Sequence, residues 1–271
     1  MPRDETRIRL VVFDWAGTTV DHGSRAPVMP FIRALAARGV EVTPEEARGP
    51  MGLGKRDHLR ALLRLPAVAR RWCERYGRDA SEEDVDDLYR RFVPLQMEVI
   101  DDFAGLVPGL LDCVGALRGR EVAVGATTGY FREAALRVYG RAAEQGYRPD
   151  YCVCAEEVPA GRPAPWMIFR TMEALRVYPP SAVLKVGDTV PDVGEGLAAG
   201  AWSAGVVRSS SEVGCTEEEW AALPQAEQHR RAENCRAKLR AAGAHAVLDT
   251  VADLPAVLDE FDARLGRGER P

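Results

Sequence analysis

The chain has 271 residues, 46% of them apolar and 28% charged, which is enough for one large α/β domain or a core with a smaller second unit. A formal net charge of −5 with no long basic run argues against generic binding to nucleic acid or to an anionic membrane surface. No apolar run approaches a membrane span, and the polar start MPRDETRIRL reads as free of a secretory signal.

The first predicted element is a strand over Ile8 to Phe13 (IRLVVF), a short β-branched run suited to a parallel sheet buried on both faces. It ends at Asp14 and the loop WAGTTVDHGS. From about Ala26 to Ile100 every signal is helical, with breaks at Thr43-Pro44, Gly49 to Gly54, Pro66 and Gly77. Ser81, followed by Glu82, Glu83 and Asp84, predicts a helix N-cap. After Asp102 strands and helices alternate. Strands are predicted over Glu121 to Ala126, Tyr151 to Ala155, Ala182 to Val186, Trp202 to Val207 and His245 to Leu248. Helices are predicted over Gly109 to Leu117, from about Arg132, over Pro165 to Leu175 and from about Asp192 to Ala199, with a closing helix at the end. The polar stretch from Ser209 to Leu239 reads as a solvated helical excursion with no chemistry of its own. The alternation predicts α/β architecture, a doubly wound parallel sheet, interrupted by an inserted all-helical unit. The core comprises about 1–22 and 102–271, and the helical cap about 23–101.

Ligands of such sheets bind beyond the carboxyl ends of the strands, so the polar residues there are the candidates. Asp14 follows the first strand, Thr127 and Thr128 follow another, and Asp188 and Asp192 follow a third. The loop from Trp15 to Thr19 offers N–H groups to an anion. Carboxylates brought to one sheet edge repel each other unless a hard cation lies between them, and Mg²⁺ suits oxygen ligands. Each residue also has an ordinary structural explanation, Asp14 as a turn former and Asp188 and Asp192 as helix caps. Their joint occurrence after separate strands favours a site. Two Gly-rich stretches are discounted. GPMGLGK (49–55) has Arg56 where a P-loop needs Ser or Thr and has no preceding strand, and GEGLAA (194–199) lies inside a predicted helix. Six cysteines, none with zinc spacing, read as buried or partly buried thiols of a reduced, cytoplasmic protein.

In this order FDWAGTTV, ATTG, GRPAPWM and GDTVPD resemble the four motifs of haloacid-dehalogenase-like phosphotransferases, and the resemblance covers nearly the whole chain. It implies Asp14 as the nucleophile toward phosphorus. Most phosphatases of that superfamily carry a second aspartate two residues later as general acid and base, a group worth roughly 10²–10⁴-fold. Here that position is Ala16. The phosphonatase branch has this DxAGT pattern and is similar to the chain again at GPMGLGKRDHLRALL and GRPAPWM. That resemblance implies cleavage of the C–P bond of phosphonoacetaldehyde, with Mg²⁺ as cofactor and a homodimer as the assembly. It implies Lys55 as the imine-forming amine, His58 as a proton relay and Arg162 as a charge-balancing cation. It further implies the Ala16 carbonyl beside Asp14, Asp188 and Asp192 at the metal, and Trp15, Gly17, Thr18, Ser24, Met51, Gly52, Thr127, Thr128, Gly129 and Tyr130 around the substrate. Ser24 stands where members of that branch often carry cysteine, and Gly54 where leucine is expected. A C–P bond leaves a carbanion when broken, and an iminium supplies the electron sink. The lysine must be neutral to attack, although its reference pKa is about 10.4. The alternatives are a phosphatase or phosphomutase acting on a small phosphate ester, a hydrolase of a related phosphono-aldehyde or ketone, and a catalytically silent binding protein.

Overall fold

The computed structural model describes residues 6–271, so the polar start of the chain lies partly outside the described residues. Six strands, β1 (Leu10–Phe13), β2 (Ala123–Thr128), β3 (Tyr151–Cys154), β4 (Val183–Gly187), β5 (Trp202–Val206) and β6 (Ala246–Leu248), form one sheet in the order β3-β2-β1-β4-β5-β6. Every pairing is parallel. The chain leaves β1 toward β2 and β3, then returns to build β4, β5 and β6 on the other side. The reversal opens a crevice at the carboxyl ends of β1 and its neighbours. Phe13 pairs with Ala126 and Val186, which sets Asp14 level with Thr127 and Gly187. Strand β2 runs two residues beyond the predicted end because Thr127 and Thr128 pair with Val153 and Cys154. These threonines belong to the sheet's rim, and the loop begins after them.

Within residues 23–101 come five helices: α1 (Val28–Ala36), α2 (Pro44–Arg48), α3 (Lys55–Arg64), α4 (Pro66–Tyr76) and α5 (Glu82–Val99). They fall between the breaks read from the sequence. Pro44 and Pro66 each stand at the first turn of a helix, where proline's missing N–H costs nothing. Thr43 and Ser81 form capping boxes with Glu46 and Asp84. On α3 the buried residues are Lys55, His58, Leu59, Leu62 and Leu63, one stripe at helical spacing. The stripe is apolar at its far end and carries the amine and the imidazole at its near end.

The rest of the sheet is flanked by α6 (Leu110–Gly119), α7 (Arg132–Glu144), α8 (Trp166–Ala174), α9 (Val190–Ala198), α10 (Glu217–Ala222), α11 (Gln225–Ala241) and α12 (Leu254–Gly266). The residue before the first of the discounted Gly-rich stretches closes α2, and the second stretch lies in α9, so neither has the strand-to-helix context of a nucleotide loop. All six cysteines are free; Cys73 is exposed and the others are buried or half-buried. Among the described residues no helix is long and apolar enough to cross a membrane.

Candidate active site

Asp14 leaves the end of β1 with its backbone N–H bonded to the Val186 carbonyl at 2.8 Å. The chain then turns sharply, and the Trp15 carbonyl accepts from the N–H groups of Thr18, Thr19 and Val20. Gly17 has φ +89°, and a Cβ there would lie 2.6 Å from Asp188 Oδ2, so only glycine lets this turn approach the second carboxylate. Thr18 Oγ1 donates to Asp188 Oδ1 at 3.4 Å. The Trp15 ring packs edge-on against Tyr139 and Tyr147, so its side chain serves the core and its backbone serves the turn.

One oxygen from each of Asp14, Asp188 and Asp192 lies within 4.8 Å of the others. All three carboxylates are buried. Burial, then repulsion from Asp14 and Asp192, pushes Asp188 well above the usual carboxylate range. Burial also raises Asp14, against the pull of Arg162. Asp192 is held low because Arg162 and Lys185 outweigh its burial. Its Oδ2 accepts from Thr189 Oγ1 at 2.5 Å, and its Oδ1 faces Lys185 Nζ at 2.9 Å and Arg162 Nη1 at 3.1 Å. Arg162 Nη1 also lies 2.6 Å from Asp14 Oδ1. Its Nε donates to Glu195 at 2.9 Å, and its Nη2 donates to the carbonyl and hydroxyl of Thr127, both at 2.7 Å. Three buried carboxylates, Asp14, Asp192 and Glu195, thus face two buried cations, Arg162 and Lys185, and the buried Asp188 adds a fourth carboxylate beside Asp14 and Asp192. This formal excess of negative charge, made of oxygen donors only, fits a hard divalent ion.

The loop 49–54 and α3 bring the amine. Met51 is buried, the Gly52 carbonyl lies 3.5 Å from Arg162 Nη1, and a Cβ on Gly129 would meet the Leu53 carbonyl oxygen at 2.5 Å. The loop therefore rests directly on the end of β2. Lys55, 8% exposed, holds its Nζ 4.8 Å from the centre of the buried Tyr130 ring. Burial, reinforced by Arg162, lowers its pKa to about 8, although Asp14, Asp21 and Asp188 pull the other way. His58 stacks on Phe31 at 3.9 Å and its Nε2 lies 2.9 Å from the Ala47 carbonyl. A carbonyl only accepts, so Nε2 carries the proton, and the buried Nδ1 keeps a lone pair with no partner among the described residues. Burial and the neighbouring Lys55 hold this ring well below the usual histidine range, so it is neutral. Thr128 Oγ1 accepts from the Tyr130 N–H at 3.1 Å, and Ser24 lies buried in a left-handed turn at φ 46°.

A family model described as haloacid dehalogenase-like hydrolase matches residues 8–200. The chain belongs to the haloacid dehalogenase-like hydrolases. It is 46% identical to a phosphonoacetaldehyde hydrolase of Syntrophobacter fumaroxidans, over 97% of this chain and 95% of the relative. It is 45% identical to one of Klebsiella pneumoniae, over 98% and 99%. The crystal structure of a phosphonoacetaldehyde hydrolase-like protein from Oleispira antarctica superposes with a TM-score of 0.94 at 39% identity, covering 97% of this chain and 96% of that one. A β-phosphoglucomutase structure from Clostridium difficile, at 15% identity and a TM-score of 0.68, shares the fold.

Several residues escaped the sequence reading. Lys185 and Glu195 complete the ion network. The available signal was a lone lysine inside the apolar run AVLKVG, and a glutamate one helical turn after Asp192. The excursion from Ser209 to Leu239, read as having no chemistry of its own, is corrected: the Ser211 N–H donates to Asp188 Oδ2 at 2.8 Å, and Ser209 Oγ to the Gly17 carbonyl at 2.7 Å. Nothing in its polar composition distinguishes these backbone contacts from solvation. Two cavities border the site: one of about 300 Å³ is lined by Met51, Asp188 and Ser211, and one of about 280 Å³ by Trp15 and Thr128. Neither is lined by Asp14 or Lys55, both of which are buried, so the described arrangement is closed.

Proposed function

We propose that this chain is a Mg²⁺-dependent phosphonoacetaldehyde hydrolase, releasing acetaldehyde and phosphate. The observation that carries this reading is the pairing of an aspartate nucleophile that lacks the usual neighbouring acid, since Ala16 fills that place, with a buried lysine whose pKa is lowered to about 8. An amine so placed is partly neutral near physiological pH and attacks the aldehyde carbon. Loss of water gives an iminium. Asp14 then attacks phosphorus, and the C–P electron pair flows to the iminium nitrogen, leaving an enamine and an aspartyl phosphate. No proton is needed by the departing carbon at that moment, so an alanine at position 16 is tolerable. Protonation of the enamine and hydrolysis of the imine release acetaldehyde, and water frees phosphate from Asp14.

The remaining residues take supporting roles in this reading. Asp14, Asp188 and the Ala16 carbonyl hold Mg²⁺, and Asp192 joins or steadies them from its bonds to Thr189, Lys185 and Arg162. Mg²⁺ neutralises phosphoryl charge when bound. Thr128 receives phosphoryl oxygens, while the N–H groups of Gly17 and Thr18 hold the turn beside it by donating to the Val20 and Trp15 carbonyls. Thr127 holds Arg162 in place. His58, neutral with a free Nδ1, accepts a proton during imine formation. Met51, Gly52, Ser24, Trp15, Gly129 and Tyr130 shape the pocket that keeps Lys55 dry. The core of about 1–22 and 102–271 and the cap of about 23–101 close over the reaction, in a cytoplasmic homodimer.

The test is release of acetaldehyde and phosphate from phosphonoacetaldehyde with Mg²⁺, with a parallel borohydride trap. Equimolar products and a reduced adduct on Lys55 are expected. Lys55→Arg should abolish cleavage yet still allow Asp14 to be phosphorylated by an acyl phosphate, because arginine keeps the charge and cannot form the imine. Normal cleavage by Lys55→Arg would rule the imine out.

A further inference from the structure

Arg48, the last residue of α2, is half-buried, and its partners are backbone carbonyls of two segments distant in sequence. Nη1 donates to the carbonyls of Gly23 at 2.9 Å and Ser211 at 3.3 Å, with a longer contact to Ser24 at 3.4 Å, and Nη2 donates to Gly214 at 3.2 Å. Gly23 and Ser24 lie where the chain enters the helical segment. Ser211 and Gly214 lie in the stretch after β5. Ser211 is the residue whose N–H fixes Asp188 at 2.8 Å, so one residue binds the carboxylate on one side and Arg48 on the other. On its own side Arg48 is tied to the amine. The carbonyl of its neighbour Ala47 pairs with His58 Nε2 at 2.9 Å, and its own carbonyl accepts from the Met51 N–H at 3.0 Å, at the start of the loop leading to Lys55.

A continuous set of hydrogen bonds therefore runs from α3 through α2 and Arg48 to Ser211 and Asp188. Lifting the helical segment away would strip the guanidinium of its Ser211 and Gly214 acceptors together, leaving only Gly23 and Ser24 at the point of entry. A planar fork with five donors can serve several carbonyls at once, which a lysine ammonium cannot do in the same geometry.

We propose that Arg48 is a positioning residue that latches the helical segment onto the peptide holding Asp188, so that seating of Lys55 and binding of Mg²⁺ reinforce one another. The proposal rests on the reading of Lys55 and Asp188 given above. Coupling of this kind is reciprocal: whatever weakens the latch weakens both ligands.

The experiment compares wild type, Arg48→Lys and Arg48→Ala. Steady-state kinetics with phosphonoacetaldehyde give KM and kcat, and calorimetric titration with Mg²⁺ alone, then with inorganic phosphate present, gives metal affinity. Because the closed arrangement becomes a smaller fraction of the population, Arg48→Ala should raise both KM and the Mg²⁺ Kd about tenfold or more, with kcat at saturation falling less than about threefold. Phosphate should tighten Mg²⁺ binding in wild type and lose most of that effect in the variant, and Arg48→Lys should fall between. A folded Arg48→Ala with unchanged KM and Mg²⁺ Kd overturns the latch, as does a loss of thermal stability and kcat alone, the mark of a merely structural residue. Should Arg48→Ala not fold, Arg48→Lys carries the same comparison. The borohydride adduct in wild type is scored separately: its absence removes the imine reading, while shifted Mg²⁺ affinities in the variants still decide the latch.

Discussion

At the scale of the residue, two buried lysines do opposite work. Lys55 forms no ion pair with a carboxylate among the described residues, and burial brings its pKa to about 8. Only the neutral amine attacks, so below that value the competent fraction falls tenfold per pH unit. The expected profile of kcat/KM in the free enzyme rises with unit slope toward about pH 8 and then levels. A profile flat from pH 6 to about 9 would show that this amine is not the group that must be neutral. Lys185 sits in the middle of β4 with its Nζ 2.9 Å from Asp192 and 3.4 Å from Glu195. Replacing it with methionine leaves buried charge uncompensated, and Lys185→Met should cost about 3–5 kcal/mol in urea unfolding. Adding Glu195→Gln removes one of the stranded charges, so the double variant should recover at least about 1 kcal/mol relative to the sum of the single changes. Strict additivity would mean that the two side chains do not share one network.

At the scale of the element, the decisive contact joins a loop to a strand end. Gly129 follows β2, and the backbone of Leu53 lies where its Cβ would be, 2.5 Å from the carbonyl oxygen and 3.0 Å from the carbon. Neither atom belongs to a flexible side chain, so Gly129→Ala must push the loop 49–54 outward and carry Lys55 with it. Misplacement of about 1 Å costs on the order of 10²-fold, and kcat/KM should fall by about that factor while the far-ultraviolet circular dichroism stays that of wild type. Unchanged kinetics would show that the loop is positioned by something other than β2. The elements themselves were legible because their chemistry is local. Apolar β-branched runs announce buried parallel strands, and Thr43, Ser81 and the glycines announce where helices start and stop. What lies between elements was not. The approach of Leu53 to Gly129, and of Ser211 to Asp188, depends on how separate loops meet, and no local pattern records that. The partial exception is Lys185, where a charge in an apolar strand already demanded a buried partner.

At the scale of the whole molecule, the site concentrates negative charge in the driest part of the protein. The motifs made the aspartates legible, since Asp14 and Asp188 each end a strand. The surplus became visible only when Glu195, Arg162 and Lys185 were placed beside them. Asp188 shows the consequence, with burial and its fellow carboxylates opposing its ionisation. A divalent ion relieves this and binds the folded state alone, so it must stabilise the fold. At about 100 times its Kd the gain is about 2.7 kcal/mol. For a chain of this size each kcal/mol moves Tm by about 2–4 °C, so Mg²⁺ should raise Tm by about 5–10 °C and chelation should reverse it. Asp188→Asn separates this explanation from a general effect of salt. The amide keeps an oxygen to accept the Ser211 N–H and removes one charge from the cluster. The metal-free variant should therefore melt no lower than metal-free wild type, and Mg²⁺ should no longer raise its Tm. A variant still stabilised by Mg²⁺ as strongly as wild type would place the ion away from these carboxylates.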